Sequence, residues 1–341
     1  MLDLPLTVLT HRVFPETLAI LAGRTEVLAN NTEATLASNE ILDRCRAADA
    51  IMAFMPDSID DEFLAACPNL KIVACALKGY DNFDVAACTR RNVWLTVVDD
   101  LLTMPTAELA IGLMISLSRH VLAGDADVRG NRFFAWRPTL YGTGLAGRTV
   151  GIVGMGKVGQ AIAKRLDGFD AELLYTDKAP LDPVTTASLH LTHTGFEALM
   201  SRSDFVVLAT SLTAETRHLV DTRSLGMMKP GAFLVNPARG SLVDEEAVAN
   251  ALADGRLGGY AADVFAFEDW ADVDRPKTIS QQLLEDTDRT LFTPHLGSAV
   301  VEVRKAIEAE AAASIIEALR GERPAGAVNE LFLKRSVGTQ F

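Results

Sequence analysis

Cysteine and histidine are scarce in this chain, with four and six in 341 residues. All four cysteines, Cys45, Cys67, Cys75 and Cys88, fall in the first 100 positions. None forms a CxxC pair and their spacing matches no metal-ligand set, which excludes a disulfide scaffold and a zinc module. The thiols are expected as small, buried, reduced core residues, and no metal centre is expected. Long apolar runs are missing too. Nothing approaches the roughly 20 residues of a membrane span, and the amino-terminal MLDLPLTVLTHRV lacks a basic start followed by a cleavable apolar stretch. The chain is therefore expected in the cytoplasm, without membrane contact. Positive charge is the third shortage: 32 Lys and Arg stand against 45 Asp and Glu, for a net charge of −13. A surface of that sign repels phosphate backbones and argues against a nucleic-acid partner. It repels small anions as well, so an anionic substrate needs a local cluster of cations.

Enough remains for a globular fold, since 49% of residues are hydrophobic and 23% charged. The length exceeds one hydrophobic core, so two domains of roughly 100–200 residues are expected. In the first 100 residues apolar runs (LTVLTH, EVLAN, DAIMAFM, LKIVACAL, VWLTVV) alternate with amphipathic ones (PETLAILAG, ILDRCRAA, DEFLAAC, DNFDVAACTRR). Such alternation signals an α/β layer fold with parallel strands. Residues 105–122, PTAELAIGLMISLSRHVL, place Pro at the first helical position and are apolar nearly all round. They predict one buried helix, lying between domains or at a subunit interface, and with it a homodimer. From Thr149 a second alternation begins, with TVGIVG, AELLYTD, DFVVLAT, AFLVN, GGYAADVF and TLFTP as strands and helices between them. That spacing describes a doubly wound sheet. A last helix, about Ala299–Arg320, is expected to pack back on the first domain.

GIVGMGKVG places Gly154, Gly156 and Gly159 in a GxGxxG pattern that follows an apolar strand and opens a helix. In that context Gly154 permits the tight turn, Gly156 lets the backbone approach a pyrophosphate, and Gly159 lets helix and strand pack closely. Met155, Lys157 and Val158 complete the expected loop contacts. The next strand, LLYTD, ends in Asp177, where a carboxylate accepts from both ribose hydroxyls of NAD and repels the 2′-phosphate of NADP. Lys178 partly offsets that repulsion, so NAD is the expected cofactor with some tolerance of NADP. The expected architecture is thus α/β in two domains. A doubly wound Rossmann-type nucleotide domain, 101–294, is inserted into a smaller flavodoxin-like substrate domain, 1–100 and 295–330. The tail from Gly321 reads as polar and loosely held, above all over 331–341.

In an open parallel sheet, ligands bind beyond the carboxyl ends of the strands. Three residues stand just past such ends: Arg239 after AFLVN, Glu268 after GGYAADVF, and His295 after TLFTP. Each alone has an ordinary reading as a cap, a solvated carboxylate or a loop histidine. Together they supply an arginine to bind an anion, a histidine to move a proton, and a carboxylate to fix its tautomer.

VNPARGSLVDEEAV, GGYAADVF, TPHLGSA and PTAELAIGLM resemble the motifs of the NAD-dependent D-2-hydroxyacid dehydrogenase family, over nearly the whole chain. The resemblance implies that Arg239 contacts substrate and that Glu268 and His295 form an acid/base dyad. Thr106, Pro237, Asp263 and Gly297 complete the set expected at the cofactor. Where most members read Glu-Pro, this chain reads Glu268-Asp269-Trp270. Where many read VGxDNID, with loop amides binding a substrate carboxylate, LKIVACALKGYDNFD adds Lys78 before Gly79. Two cations, Lys78 and Arg239, suit a dianion better than a monocarboxylate. AIMAFMPD, ACALKGYDNFDV, DLLTMPTAELAIG, WRPTLYGTGL and FEDWADVDRP are similar to the branch of the family that oxidises phosphite to phosphate. That resemblance implies phosphite held by Arg239, Lys78 and the Gly79 amide, with His295 as base. Met55, Trp136 and Tyr141 are expected to line or close the pocket, with core packing as the alternative for Met55. Arg304 either reaches the site from behind His295 or forms a surface ion pair. The competing expectations are a dehydrogenase of a carbon substrate such as D-lactate or D-glycerate, and a corepressor-like NAD-sensing protein. The second requires docking surfaces or tails, which the sequence does not display.

Overall fold

Apolar runs bounded by turn residues become strands in both halves of the computed structural model, which describes residues 4–331 apart from Asp99 and Val273. The chain divides into two units, one formed by residues up to Leu101 and from Val300 onward, the other by Leu102–Ala299.

The first unit holds β1 (Leu6–Leu9), β2 (Glu26–Ala29), β3 (Ala50–Ala53), β4 (Ile72–Cys75) and β5 (Trp94–Thr96), all parallel, in the order β2-β1-β3-β4-β5. That is the flavodoxin-like order. AIMA and IVAC are buried along their whole length because helices cover both faces of a parallel sheet. Asp60 and Asp84 accept from the Phe63 and Ala87 amides and so start the helices Asp61–Ala66 and Val85–Arg90. Helix Pro15–Leu21 has no such cap of its own. One backbone amide and one hydroxyl at its start are instead satisfied from the far end of the chain. Glu308, 3% exposed on helix Val301–Leu319, accepts from Phe14 N and Thr17 Oγ1, both at 2.9 Å. All four cysteines are buried and free, and burial pushes the thiols of Cys45, Cys67, Cys75 and Cys88 up.

The expectation of a loose tail from Gly321 is corrected over the described part. Val97 N donates to Gly326 O, and Asn329, 7% exposed, bonds the backbone of Val93 and Leu95. A segment with little apolar periodicity is tied down by edge hydrogen bonds that no sequence pattern displays. Residues 332–341 lie outside the described residues.

The second unit holds β6 (Thr149–Val153), β7 (Glu172–Thr176), β8 (Leu191–His193), β9 (Phe205–Leu208), β10 (Ala232–Asn236), β11 (Leu257–Ala262) and β12 (Thr290–Phe292). The parallel order is β12-β11-β10-β9-β6-β7-β8, so successive strands run outward both ways from the β6/β9 pair. That pair is the switch point where a crevice opens at the carboxyl ends. The sequence reading missed β8, an edge strand of three residues with only Leu191 buried, too short for an alternating pattern. Residues 105–122 are also not one helix. Helix Thr103–Ser118 ends where His120 takes φ 52°, and a second helix, Val121–Arg129, departs at 64°. Apolar Val121 and Leu122 continue the pattern past the break, yet they are exposed. Among the described residues no single helix is long and apolar enough to cross a membrane.

Candidate active site

The glycine loop leaves β6 at Gly154, whose φ of 94° disfavours any side chain and whose Cβ would stand 2.6 Å from Ala209 O. A Cβ on Gly159 would stand 2.2 Å from Gly154 O, so helix Lys157–Leu166 sits as close to the turn as backbone allows. Gly156 has nothing within 4 Å of where its Cβ would be, which leaves room at the helix amino terminus for a diphosphate. Asp177 lies just past β7. Its Oδ2 accepts from Met155 N and its Oδ1 from Lys178 N, both at 2.6 Å, so the carboxylate stands beside the loop. These features fit a dinucleotide. The Met155 side chain belongs to the core at 2% exposure and Val158 packs against the same core, so the loop offers its backbone there; Lys157 is exposed.

His295 sits in a turn that a single carboxylate organises. Asp263, 1% exposed just after β11, accepts from Thr293 Oγ1 (2.6 Å) and Leu296 N (2.6 Å) through Oδ1 and from Gly297 N (2.8 Å) through Oδ2. Its carbonyl accepts from His295 N at 2.9 Å. Burial pushes the Asp263 carboxyl up and these donors pull it back. His295 has φ 56°, a conformation that costs a non-glycine residue about 1–2 kcal/mol. The Asp263 bonds hold it there. Asp263, expected at the cofactor, orders the turn of His295. Thr106, on helix Thr103–Ser118, packs against Gly297 of this turn: a Cβ on Gly297 would lie 3.2 Å from Thr106 Oγ1. Pro237, just past β10, is buried.

Glu268 ends the 3-10 turn Ala266–Glu268 and meets His295 directly. Its Oε2 lies 2.7 Å from Nδ1, and its Oε1 accepts from Phe265 N at 2.9 Å. Side-chain exposures of 28% for His295 and 19% for Glu268 leave the pair reachable yet partly desolvated. The carboxylate places the ring proton on Nδ1 and leaves Nε2 as the basic atom. Arg239, half-buried, caps the 3-10 turn Gly240–Leu242 beyond β10. Asn236 holds its carbonyl through Nδ2 at 2.8 Å, and its own Nη1 donates to Ala238 O. A Cβ on Gly240 would fall 1.9 Å from Phe265 C, so the Arg239 loop lies backbone to backbone against the turn that leads to Glu268. The three strand-end residues singled out in the second series are thus gathered in one unit.

In the first unit Lys78 and Gly79, both half-buried, follow β4. Arg304 is no surface ion pair. Its Nη1 donates to Ala76 O at 3.3 Å and its guanidinium carbon lies 5.7 Å from the Phe54 ring centre. Burial lowers its proton affinity, with Glu308 acting in the opposite sense. Met55 packs against the core of the first unit. The sequence reading missed a buried polar group at the ends of β1 and β3. Asp57, 2% exposed, accepts from Thr10 Oγ1 (2.5 Å) and Phe54 N (2.7 Å), and Thr10 Oγ1 lies 3.0 Å from His11 Nδ1. The His11 ring packs on Phe54 at 5.1 Å. The strand-end rule, applied to VLTHR and AFMPD as it was to the second series, finds these residues. Trp136 and Tyr141 stand 77% and 74% exposed, so neither lines a pocket of its own unit. No group of three or more His, Cys, Asp or Glu among the described residues is arranged to hold a metal ion.

Residues 111–297 match the model of the D-isomer specific 2-hydroxyacid dehydrogenase, NAD binding domain. The chain is 36% identical over 329 residues to a glyoxylate reductase of Pyrococcus furiosus, covering 95% of each chain. It is 36% identical over 297 residues to a glyoxylate reductase of Thermofilum pendens, covering 86% of this chain and 85% of that one. Among solved structures it resembles the TT0316 protein of Thermus thermophilus, with a TM-score of 0.86, 33% identity, and coverage of 95% of this chain and 100% of that chain.

Proposed function

Since this chain belongs to the D-isomer specific 2-hydroxyacid dehydrogenase family, whose cofactor is NAD, we propose that it oxidises a small inorganic dianion, phosphite, to phosphate. One observation carries the choice of substrate. Two cations of the first unit stand at the end of a single strand, Lys78 in the loop after β4 and Arg304 on the carbonyl of Ala76 in that same loop. With Arg239 they make three positive groups in a chain of net charge −13. A monocarboxylate with a carbonyl needs fewer.

Bound NAD supplies the hydride acceptor. Lys78, Arg304, Arg239 and the Gly79 amide bind the oxyanion and orient its P–H bond. The Nε2 of His295 takes a proton from water as the water oxygen bonds to phosphorus and the hydride leaves with its electron pair. Glu268 keeps Nε2 basic and stabilises the imidazolium. Phosphite, water and NAD are consumed; phosphate, NADH and one proton appear. Positioning and charge supply most of the rate. A homodimer belongs to the same proposal, supported by the exposed apolar side chains of Val121, Leu122, Val128, Phe134, Trp136 and Tyr141.

The names of the relatives favour a second reading, glyoxylate reduction or its reverse on a carbon substrate. There His295 exchanges the hydroxyl proton and no water attacks. Family membership sets the cofactor, while substrate choice belongs to a few side chains. The deciding experiment follows NADH absorbance in parallel reactions: NAD with phosphite, glycolate, D-glycerate or D-lactate, and NADH with glyoxylate. Turnover of phosphite alone is expected. Efficient glyoxylate reduction with phosphite inert overturns the phosphite proposal in favour of the second reading.

A further inference from the structure

We propose that Asp269 is a positioning residue that holds the Arg239 loop in register with the Glu268–His295 pair. Asp269 follows Glu268 and is 6% exposed. Its Oδ2 accepts from the amide of Ser241 at 3.0 Å, and Ser241, 1% exposed, lies in the turn that Arg239 caps. The two adjacent carboxylates therefore grip different loops, Glu268 the turn of His295 and Asp269 the turn of Arg239.

The base they share is stiff. Glu268 N donates to Phe265 O, Asp269 N donates to Ala266 O, and Ala266 N donates to Glu245 Oε1, which anchors the turn to helix Glu245–Ala253. At Gly240 the two backbones already touch, so the loops cannot close further; they can only slip or part, and the Asp269 bond opposes both. Asp269 is also the position at which the chain leaves the Glu-Pro pattern, and a proline side chain accepts no hydrogen bond.

The inference rests on the hydride-transfer chemistry of the family and holds for either proposed anion. Its test is Asp269→Ala beside Asp269→Asn, each compared with wild type on the anion that wild type turns over, phosphite or glyoxylate. Loss of the clamp frees Arg239, so Asp269→Ala is expected to raise KM by on the order of tenfold to a hundredfold while kcat falls less and NAD affinity is unchanged. Asp269→Asn keeps an oxygen for the Ser241 amide and is expected to restore KM. If Asp269→Ala does not fold, Asp269→Ser, whose hydroxyl is too short to reach that amide, is read in its place. An unchanged KM in the alanine or serine variant overturns the inference, as does an asparagine variant as impaired as alanine. If wild type turns over neither anion, the substrate proposal fails on its own, and the affinities of phosphate and oxalate for the NAD complex, measured by calorimetry, replace KM.

Discussion

Replacing Glu268 by glutamine exchanges one oxygen for an NH2 group, and the geometry around that atom sets the expected loss of activity. In the wild type each carboxylate oxygen has its own donor, Phe265 N at 2.9 Å and His295 Nδ1 at 2.7 Å. Glutamine has one oxygen to share between two donors. With the oxygen toward His295, the NH2 opposes the Phe265 N–H. With the oxygen toward Phe265, the NH2 donates to Nδ1 and drives the ring proton onto Nε2, the atom that must accept. A charge-assisted hydrogen bond is worth about 1.5–3 kcal/mol, and about 1.4 kcal/mol makes a factor of ten. The expected fall in kcat is therefore roughly ten- to 150-fold, with loss of the negative charge beside the forming imidazolium acting in the same direction. Initial rates of NADH appearance or disappearance give kcat, and quenching of intrinsic fluorescence gives NAD affinity. The glycine loop is untouched, so NAD affinity should hold. A Glu268→Gln enzyme with near-wild-type kcat would refute the dyad, and one with lost NAD binding would show that the substitution acts through the fold.

Three further outcomes are expected. Lys78→Ala should raise KM for phosphite roughly ten- to a hundredfold through loss of a charged hydrogen bond and leave NAD binding intact; an unchanged KM removes Lys78 from the site. Asp177→Ala should narrow the preference for NAD over NADP by roughly tenfold or more, since like charges at 4 Å repel by about 1 kcal/mol per unit charge in water and a 2′-phosphate carries nearly two; steady-state rates with both cofactors check it, and an unaltered ratio assigns the discrimination elsewhere. The third outcome concerns pH. Burial, assisted by Arg304 and opposed by Asp57, holds the His11 imidazole below its ordinary range. The unfolded chain then binds more protons at His11 between that lowered value and about 6.5, so stability is lost as pH falls through this window. Asp57, pushed up mainly by burial, has the opposite sign, so the His11 contribution is read as the difference between wild type and His11→Asn in thermal melts across the window. Parallel slopes for the two proteins would exclude it.

Local chemistry made much of the fold legible. Strand-length apolar runs, GxGxxG after TVGIV and an acidic residue after LLYT are short-range signals, because a tight turn, a helix amino terminus and a fully buried strand each constrain a few consecutive residues. The strand-end rule picked Arg239, Glu268 and His295 for the same reason. Where patterning is weak the reading failed. The three-residue β8 has one buried side chain, the break at His120 interrupts an unbroken apolar pattern, and the segment after Gly321 is held by edge hydrogen bonds. Trp136 and Tyr141 show the limit from the other side, since an aromatic residue in a loop says nothing of whether its own unit covers it.

By itself, then, the sequence determined the alternation of strands and helices, the dinucleotide loop, the reduced thiols and the residue types able to bind an anion and move a proton. Each of these is written in neighbouring residues. Only the tertiary structure decided that Asp263 organises the turn of His295, that Glu308 caps a helix nearly 300 positions away, and that Asp269 reaches the loop of Arg239. A carboxylate's partner is whichever donor the fold brings within about 3 Å, and that distance depends on every turn between them.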